Sequence, residues 1–261
     1  PSLAKNWGSG TIASYQTAGR GRGSPCSTCT FTCSRGATWR GLRAEPLLRW
    51  TAVRTGDSLP EEEYGRLLDL LPVKRRAEVR RIKDKKSACG ILTAYALLRR
   101  ELKLYHGISR PVIAYEKAGK PYLPEYPRLH FSISHSREYA VCAVSDTPVG
   151  TDGETVRALR DSLWRRVLTQ SEYSWADGDP GRLFRLWTLK ESYFKFTGTG
   201  LAAPLKSVEF TFGENGPVVN RPGVFAASAL ISDAAFGLCS AADAMPAGPE
   251  ILPVEEYLSV F

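Results

Sequence analysis

No apolar stretch in this chain of 261 residues approaches the roughly 18 residues that a membrane-spanning helix needs; the longest helical candidate lies around Ile91 to Leu98. The N-terminus also lacks the apolar core of a secretory signal. These two absences predict a soluble cytoplasmic protein, in which thiols stay reduced and the six cysteines need not pair. No short-period repeat is visible, which sets aside solenoids and propellers. Histidine is scarce, with three in the whole chain. Zinc has little support: Cys26, Cys29 and Cys33 form a C-x2-C-x3-C cluster, but no fourth Cys or His lies nearby to complete a dedicated site.

What is present is ordinary for a globular protein, with 43% hydrophobic and 24% charged residues. The length suits one large domain or two half-sized ones. A formal charge of +8 favours anionic partners, but ranks them by sign and not by identity. Part of that charge sits in residues 1–45, where Lys5, Arg20, Arg22, Arg35, Arg40 and Arg43 stand against the single acid Glu45. That Gly-, Ser- and Arg-rich segment has neither helical nor strand periodicity and is expected to be a disordered leader.

Order is expected from Leu47, beginning with a half-buried strand at Leu48 to Val53. Ser58 and Pro60 then open a helix, followed by helices at Val73 to Ile82 and Lys85 to Leu102. Lys74, Arg75, Arg76, Arg80, Arg81, Lys83, Lys85 and Lys86 crowd the junction of the last two. Such a run is either a solvated helix face or a phosphate site. Strands at Leu129 to Ile133, Tyr139 to Ser145 and Pro148 to Thr151 surround a loop at Ser134, His135 and Ser136. Helices near Ala158 to Leu168, Ser171 to Trp175 and Arg182 to Thr197 lead back to strands. Each half mixes helices with antiparallel strand material, so the fold class is α+β.

Three clusters carry chemistry. In Val149-Gly-Thr-Asp152-Gly-Glu154 a strand puts two carboxylates at i and i+2, on one face. Magnesium relieves the repulsion of such a pair; a solvent-facing acidic strand end is the plain alternative. In Trp187-Thr-Leu-Lys190-Glu191-Ser-Tyr-Phe-Lys195 an acid lies between two lysines. Glu191 and Lys195 at i and i+4 make either an ordinary ion pair or a metal- and phosphate-binding group. In Phe131-Ser-Ile-Ser134-His135-Ser136 a strand-end histidine can donate hydrogen bonds to phosphate, more strongly if protonated near neutrality.

Taken in order, Gly119-Lys120-Pro121, the Phe131–Ser136 block, Gly150-x-Asp152-x-Glu154 and Trp187-x-x-Lys190-Glu191-Ser-x-x-Lys195-x-x-Gly198-x-Gly200-Leu201 resemble the surfactin-synthetase-activating type of 4′-phosphopantetheinyl transferase. The likeness runs from about Leu47 to the C-terminus. It implies two pseudo-symmetric α+β lobes, at 46–148 and 149–261, with coenzyme A and Mg2+ between them. It also implies transfer of phosphopantetheine from coenzyme A to a serine of an apo acyl or peptidyl carrier protein by a monomer. Nucleic acid and membrane are not among the implied partners. Asp152, Glu154 and Glu191 match the family's metal acids; Glu191, Lys195 and Lys190 match its catalytic groups. Lys74, Lys120, Pro121, Ser134, His135, Lys190 and Lys195 match positions that hold the cofactor. Two departures, Gly153 between the acids and Cys89 in place of an expected arginine, leave an inactive carrier-binding homologue as the alternative. Gly153 and Thr151 are expected to loosen the strand, and Lys85 or Lys86 to stand in for the arginine.

Overall fold

The computed structural model describes residues 30–32, 38–40, 48–55, 59–200 and 203–258. The chain divides into Pro1–Glu45 and Pro46–Phe261. In the first unit a hairpin of β1 (Thr30–Thr32) and β2 (Thr38–Arg40) is described. The rest of the expected leader, with Cys26, Cys29 and Cys33, lies outside the described residues, as do Ser58 and Leu201.

The second unit runs through one element order twice. First come β3 (Arg49–Arg54), α1 (Glu61–Asp69), α2 (Val73–Val79), α3 (Lys85–His106), the hairpin β4 (Ala114–Tyr115) and β5 (Pro121–Tyr122), β6 (His130–His135) and β7 (Tyr139–Ser145). Then follow β8 (Val149–Thr155), α4 (Asp161–Val167), α5 (Gln170–Ala176), α6 (Pro180–Thr197), the hairpin β9 (Phe210–Gly213) and β10 (Gly216–Val219), β11 (Phe225–Ile231) and β12 (Ala234–Ser240). The strand orders match as well, β6-β7-β3 and β11-β12-β8, all antiparallel. The C-terminal β13 (Glu250–Leu252) returns to pair in parallel with β3, and α7 (Val254–Leu258) brings Tyr257 under α3.

Two-residue periodicity sorts the layers. Ala140, Cys142 and Val144 of β7 face the core under α3, while Tyr139, Val141 and Ala143 face the other sheet. In β12, Ala234, Phe236 and Leu238 face the first sheet, while Ala235 and Cys239 face α6. The result is helix, sheet, sheet, helix, an α+β fold as the sequence predicts. The long helices have defined ends: Asp84 accepts from Ser87 N–H at 3.2 Å and Asp179 from Arg182 N–H at 2.7 Å. Gly107 at φ 68° and Gly198 at φ 73° close them in the left-handed region that glycine adopts without strain.

Several bounds shift. Ser134 and His135 end β6 and are not in a loop, because β7 pairs with it as far as His135↔Ala140. β8 extends to Thr155, since β12 pairs with it to the end. Lys206, where a strand running to Phe212 is expected from the sequence, lies instead inside a 3-10 turn at Leu205–Ser207, and β9 begins only at Phe210. Among the described residues no helix is long and apolar enough to cross a membrane.

Candidate active site

The site lies where β6 of the first half meets β8 and α6 of the second. α6 settles on β8 and β12 because both strands offer glycine at the contact. A Cβ at Gly150 would lie 2.1 Å from Ser192 O and 2.3 Å from Phe196 N, and one at Gly237 would lie 2.5 Å from Thr188 O. Gly150, Asp152 and Glu154 share the strand face turned to α6, so this contact brings Glu191 and Lys195 toward the acids.

Thr151 and Gly153 occupy the opposite face, and neither loosens the strand. Thr151 N–H donates to Ser132 Oγ at 3.0 Å, and its hydroxyl accepts from Trp50 Nε1–H at 2.8 Å and donates to Gly237 O at 2.9 Å. At Gly153 a Cβ would lie 2.9 Å from the ring of Phe236, its cross-strand partner, and 3.3 Å from Val141. The Phe236 ring fills the space an aliphatic side chain would take, and β8 stays paired from Val149 to Thr155.

Around the acids, Lys195 Nζ donates to Asp152 Oδ1 at 2.7 Å and to Ser134 Oγ at 2.6 Å, while Ser134 donates to the same carboxylate oxygen at 2.6 Å. Glu154 accepts from Arg157 at 3.2 Å. Two buried oxygens, Asp152 Oδ2 and Glu191 Oε1, have no hydrogen-bond partner among the described residues. Burial pushes the Glu191 carboxyl up to about 7; Asp152 and Glu154 add to this and Lys195 opposes it. Burial, with Asp152 second, also raises Glu154. Among the described residues no group of three or more His, Cys, Asp or Glu side chains already stands at ligand spacing. Charge explains this: the acids repel one another, and Arg157 and Lys195 draw Glu154 and Asp152 onto themselves. Even so, buried carboxylate oxygens with no partner among the described residues, beside two glutamates whose pKa Asp152 raises, are a donor set of the hard kind that Mg2+ takes.

The raised carboxyl has a measurable consequence. A Glu191 with a folded pKa near 7 stabilises the metal-free fold below the ordinary value of 4.5 and loses that contribution as pH rises to about 7. His135, depressed to about 4, changes in the opposite sense. The clean readout is therefore a difference: the melting temperature of Glu191→Gln minus that of the parent, both in EDTA, is expected to grow between about pH 4.5 and 7. A difference independent of pH contradicts the raised carboxyl.

Two adjoining depressions meet at Lys195. The larger, about 570 Å³, runs between α2, α3 and the β4–β5 hairpin; its basic lining is Lys74, Arg75, Lys117, His135 and Lys195. The smaller, about 250 Å³, has Glu191 and Lys195 at one side and Phe131, Ile133, Phe194 and Pro121 as apolar wall. His135 does not take the protonated form that would strengthen its hydrogen bonds near neutrality, because burial, with Arg75 and Lys195 beside it, depresses it to about 4. Sequence reasoning left Arg75 with the solvated face and missed Lys117, Tyr95 and Tyr115. The two tyrosine hydroxyls meet at 2.7 Å across the cleft, and no local pattern marks either.

Lys190 is not in this cluster. Its ammonium is fully buried in the second core, where it pairs with Glu172 at 2.9 Å and donates to Leu205 O at 3.0 Å and Val208 O at 2.6 Å. The reason is helical: Lys190 is one position from Glu191, about 100° around α6, so when Glu191 faces β8 it turns toward α5. Lys190→Met is therefore expected to cost roughly 3–5 kcal/mol in chemical denaturation, because it strands a buried carboxylate and two carbonyls. Turnover of the folded fraction should stay within about tenfold of the parent; a catalytic role would give the reverse pattern.

Lys120 lines the smaller pocket, but its Nζ donates to Phe196 O at 2.7 Å, satisfying a carbonyl in the last turn of α6. Burial lowers its pKa. Cys89 is 2% exposed, and the α3 side chains that line the cleft are Ile91, Ala94 and Tyr95. Lys85 does not line it, and Lys86 is bound to Glu138. Neither of the two expected substitutes for the missing arginine therefore lines the cleft.

Residues 148–236 match the family described as the 4′-phosphopantetheinyl transferase superfamily. A 4′-phosphopantetheinyl transferase of Bacillus subtilis is 31% identical over 163 residues, 60% of this chain and 73% of that protein. The 4′-phosphopantetheinyl transferase psf-1 of Bacillus pumilus is 27% identical over 216 residues, 78% of this chain and 93% of its own. The L-aminoadipate-semialdehyde dehydrogenase-phosphopantetheinyl transferase of Eremothecium gossypii is 32% identical over 215 residues, 76% and 74% of the two chains. An α+β protein with paired acids on β8 and a Lys-Glu-Ser helix across it is the class these features define. The chain belongs to the 4′-phosphopantetheinyl transferase superfamily.

Proposed function

We propose that the protein transfers the 4′-phosphopantetheine arm of coenzyme A to a serine of an apo carrier protein, releasing 3′,5′-ADP. The observation that carries this reading is that Glu191 and Lys195 stand where a basic cleft adjoins an apolar pocket, with Asp152 hydrogen-bonded to Lys195 and Glu154 next to it on the same strand face. The larger cleft suits the nucleotide end, with Lys74, Arg75, Lys117 and His135 available to its phosphates and the Gly119–Pro121 turn beside the base. Neutral His135 still donates one N–H there.

Asp152, Glu154 and Glu191 would hold Mg2+, which neutralises phosphate charge when bound. Glu191 accepts the proton of the carrier serine as its oxygen attacks the pantetheine-bearing phosphorus. The bond from that phosphorus to the 3′,5′-ADP oxygen breaks, and Lys195 stabilises or protonates the departing phosphate. Lys120 and Lys190 act indirectly, holding the end and the flank of α6.

The departures that favoured an inactive homologue lose weight, since Phe236 fills the space at Gly153 and Cys89 does not line the cleft. The free, buried thiols Cys89, Cys142 and Cys239 suit a reducing compartment, and the reading assigns the reaction to a monomer in the cytoplasm. Incubation with Mg2+, coenzyme A and an apo carrier domain is expected to add about 340 Da to the carrier, one phosphopantetheine on its serine. Coenzyme A and carrier binding without that gain would instead mark a scaffold.

A further inference from the structure

Asp152, Ser134 and Lys195 form a closed triangle in which every side is a hydrogen bond of 2.6–2.7 Å. Lys195 lies one turn beyond Glu191 on α6, but its ammonium reaches across to β8 and β6 instead of pairing with that neighbour. Asp152 is 4% exposed, so its charge needs a counter-ion, and Lys195 supplies one through a single oxygen, Oδ1. The other oxygen, Oδ2, and Glu191 Oε1 are left without partners among the described residues.

We infer that Lys195 is the resident counter-ion of the acid cluster, that an arriving divalent cation displaces it from Asp152, and that the freed ammonium turns into the cleft it already lines. Ser134 is then a positioning residue, holding the lysine on Asp152 until the exchange. This inference rests on the metal-site reading proposed above.

Two cations cannot share one carboxylate cheaply: an ammonium about 4 Å from a divalent ion is repelled by about 2 kcal/mol even in water and by more in a half-buried site. The long, flexible lysine stem makes the move inexpensive. Both depressions include Lys195 in their walls, so the ammonium has an open place to go. The exchange keeps the cluster neutralised before the cation arrives and delivers Lys195 toward the phosphates only afterwards. Metal binding and leaving-group stabilisation are thereby linked through one side chain.

The test uses Mn2+ alone, without coenzyme A, and reads free Mn2+ by electron paramagnetic resonance. Lys195→Met, close in length and without charge, is expected to bind Mn2+ at least about tenfold more tightly than the parent, while Lys195→Arg stays near the parent. Equal or weaker binding by Lys195→Met, with binding still lost in Asp152→Asn, overturns this inference and leaves the metal site standing. Binding that Asp152→Asn does not change overturns both. Should Lys195→Met fold poorly, the parent supplies a second readout. Mg2+ alone is expected to speed acetylation of Lys195 several-fold, as read by mass spectrometry, and an unchanged or slower rate overturns the displacement.

Discussion

Glu191→Gln is expected to lower transfer about a thousandfold while leaving the protein at least as stable as its parent at neutral pH. Glutamine has nearly the same shape, so the packing of α6 on β8 is untouched. What it removes is the proton acceptor and one anionic oxygen of the cluster. The environment gives that oxygen its importance: Glu191 Oε1 is buried with no partner among the described residues, and in the metal-free protein burial with two neighbouring carboxylates raises its carboxyl to about 7, a strain that a bound cation relieves. Removing the charge also relieves repulsion with Asp152 and Glu154, so stability should hold or rise. Single-turnover mass spectrometry of the carrier and thermal unfolding read the two halves separately. Near-normal turnover would take Glu191 out of the mechanism; loss of turnover together with loss of fold would leave it a packing residue.

Gly150→Ala is expected to damage both stability and activity, without touching any group that does chemistry. Its Cβ would meet main-chain atoms, Ser192 O at 2.1 Å and Phe196 N at 2.3 Å, and main chain cannot swing aside as a flexible side chain can. α6 must lift from β8, at a cost of about 3 kcal/mol or more. The lift separates Glu191 and Lys195 from Asp152, so transfer by the folded remainder falls as well. Gly65 is the control: it lies in α1 with nothing within 4 Å of a Cβ, and Gly65→Ala should stabilise by about 0.5–1 kcal/mol. Equal, small effects at both glycines would contradict the close helix-strand contact that places the site.

Much of the fold was legible in residue order. The i, i+2 acids on β8 and the helix that carries Glu191 stand where expected, the helix starting two residues earlier, because alternation and helical spacing are local signals. Asp152, Glu191, Ser134, His135 and Lys195 come close in space, while Lys74 joins them at the rim of the larger cleft. Motif reading did not foresee where the ammonium groups of Lys190 and Lys120 lie, because a motif gives a residue type at a spacing but not the direction of a long side chain. Lys190 turns into a core that already holds Glu172, and Lys120 toward a helix-end carbonyl. The Tyr95–Tyr115 contact and the filling of the Gly153 space by Phe236 depend on pairs far apart in sequence, for which one sequence carries no local signal.

The claim on which the account turns is that carboxylates from β8 and α6 close on one divalent cation. Anomalous diffraction from crystals of the full chain with Mn2+ and coenzyme A tests it most directly. The account predicts one manganese peak about 2.1 Å from oxygens of Asp152, Glu154 and Glu191, with Lys195 Nζ withdrawn from Asp152. A peak elsewhere, or Glu154 still on Arg157 and Asp152 still on Lys195 beside bound coenzyme A, would contradict it.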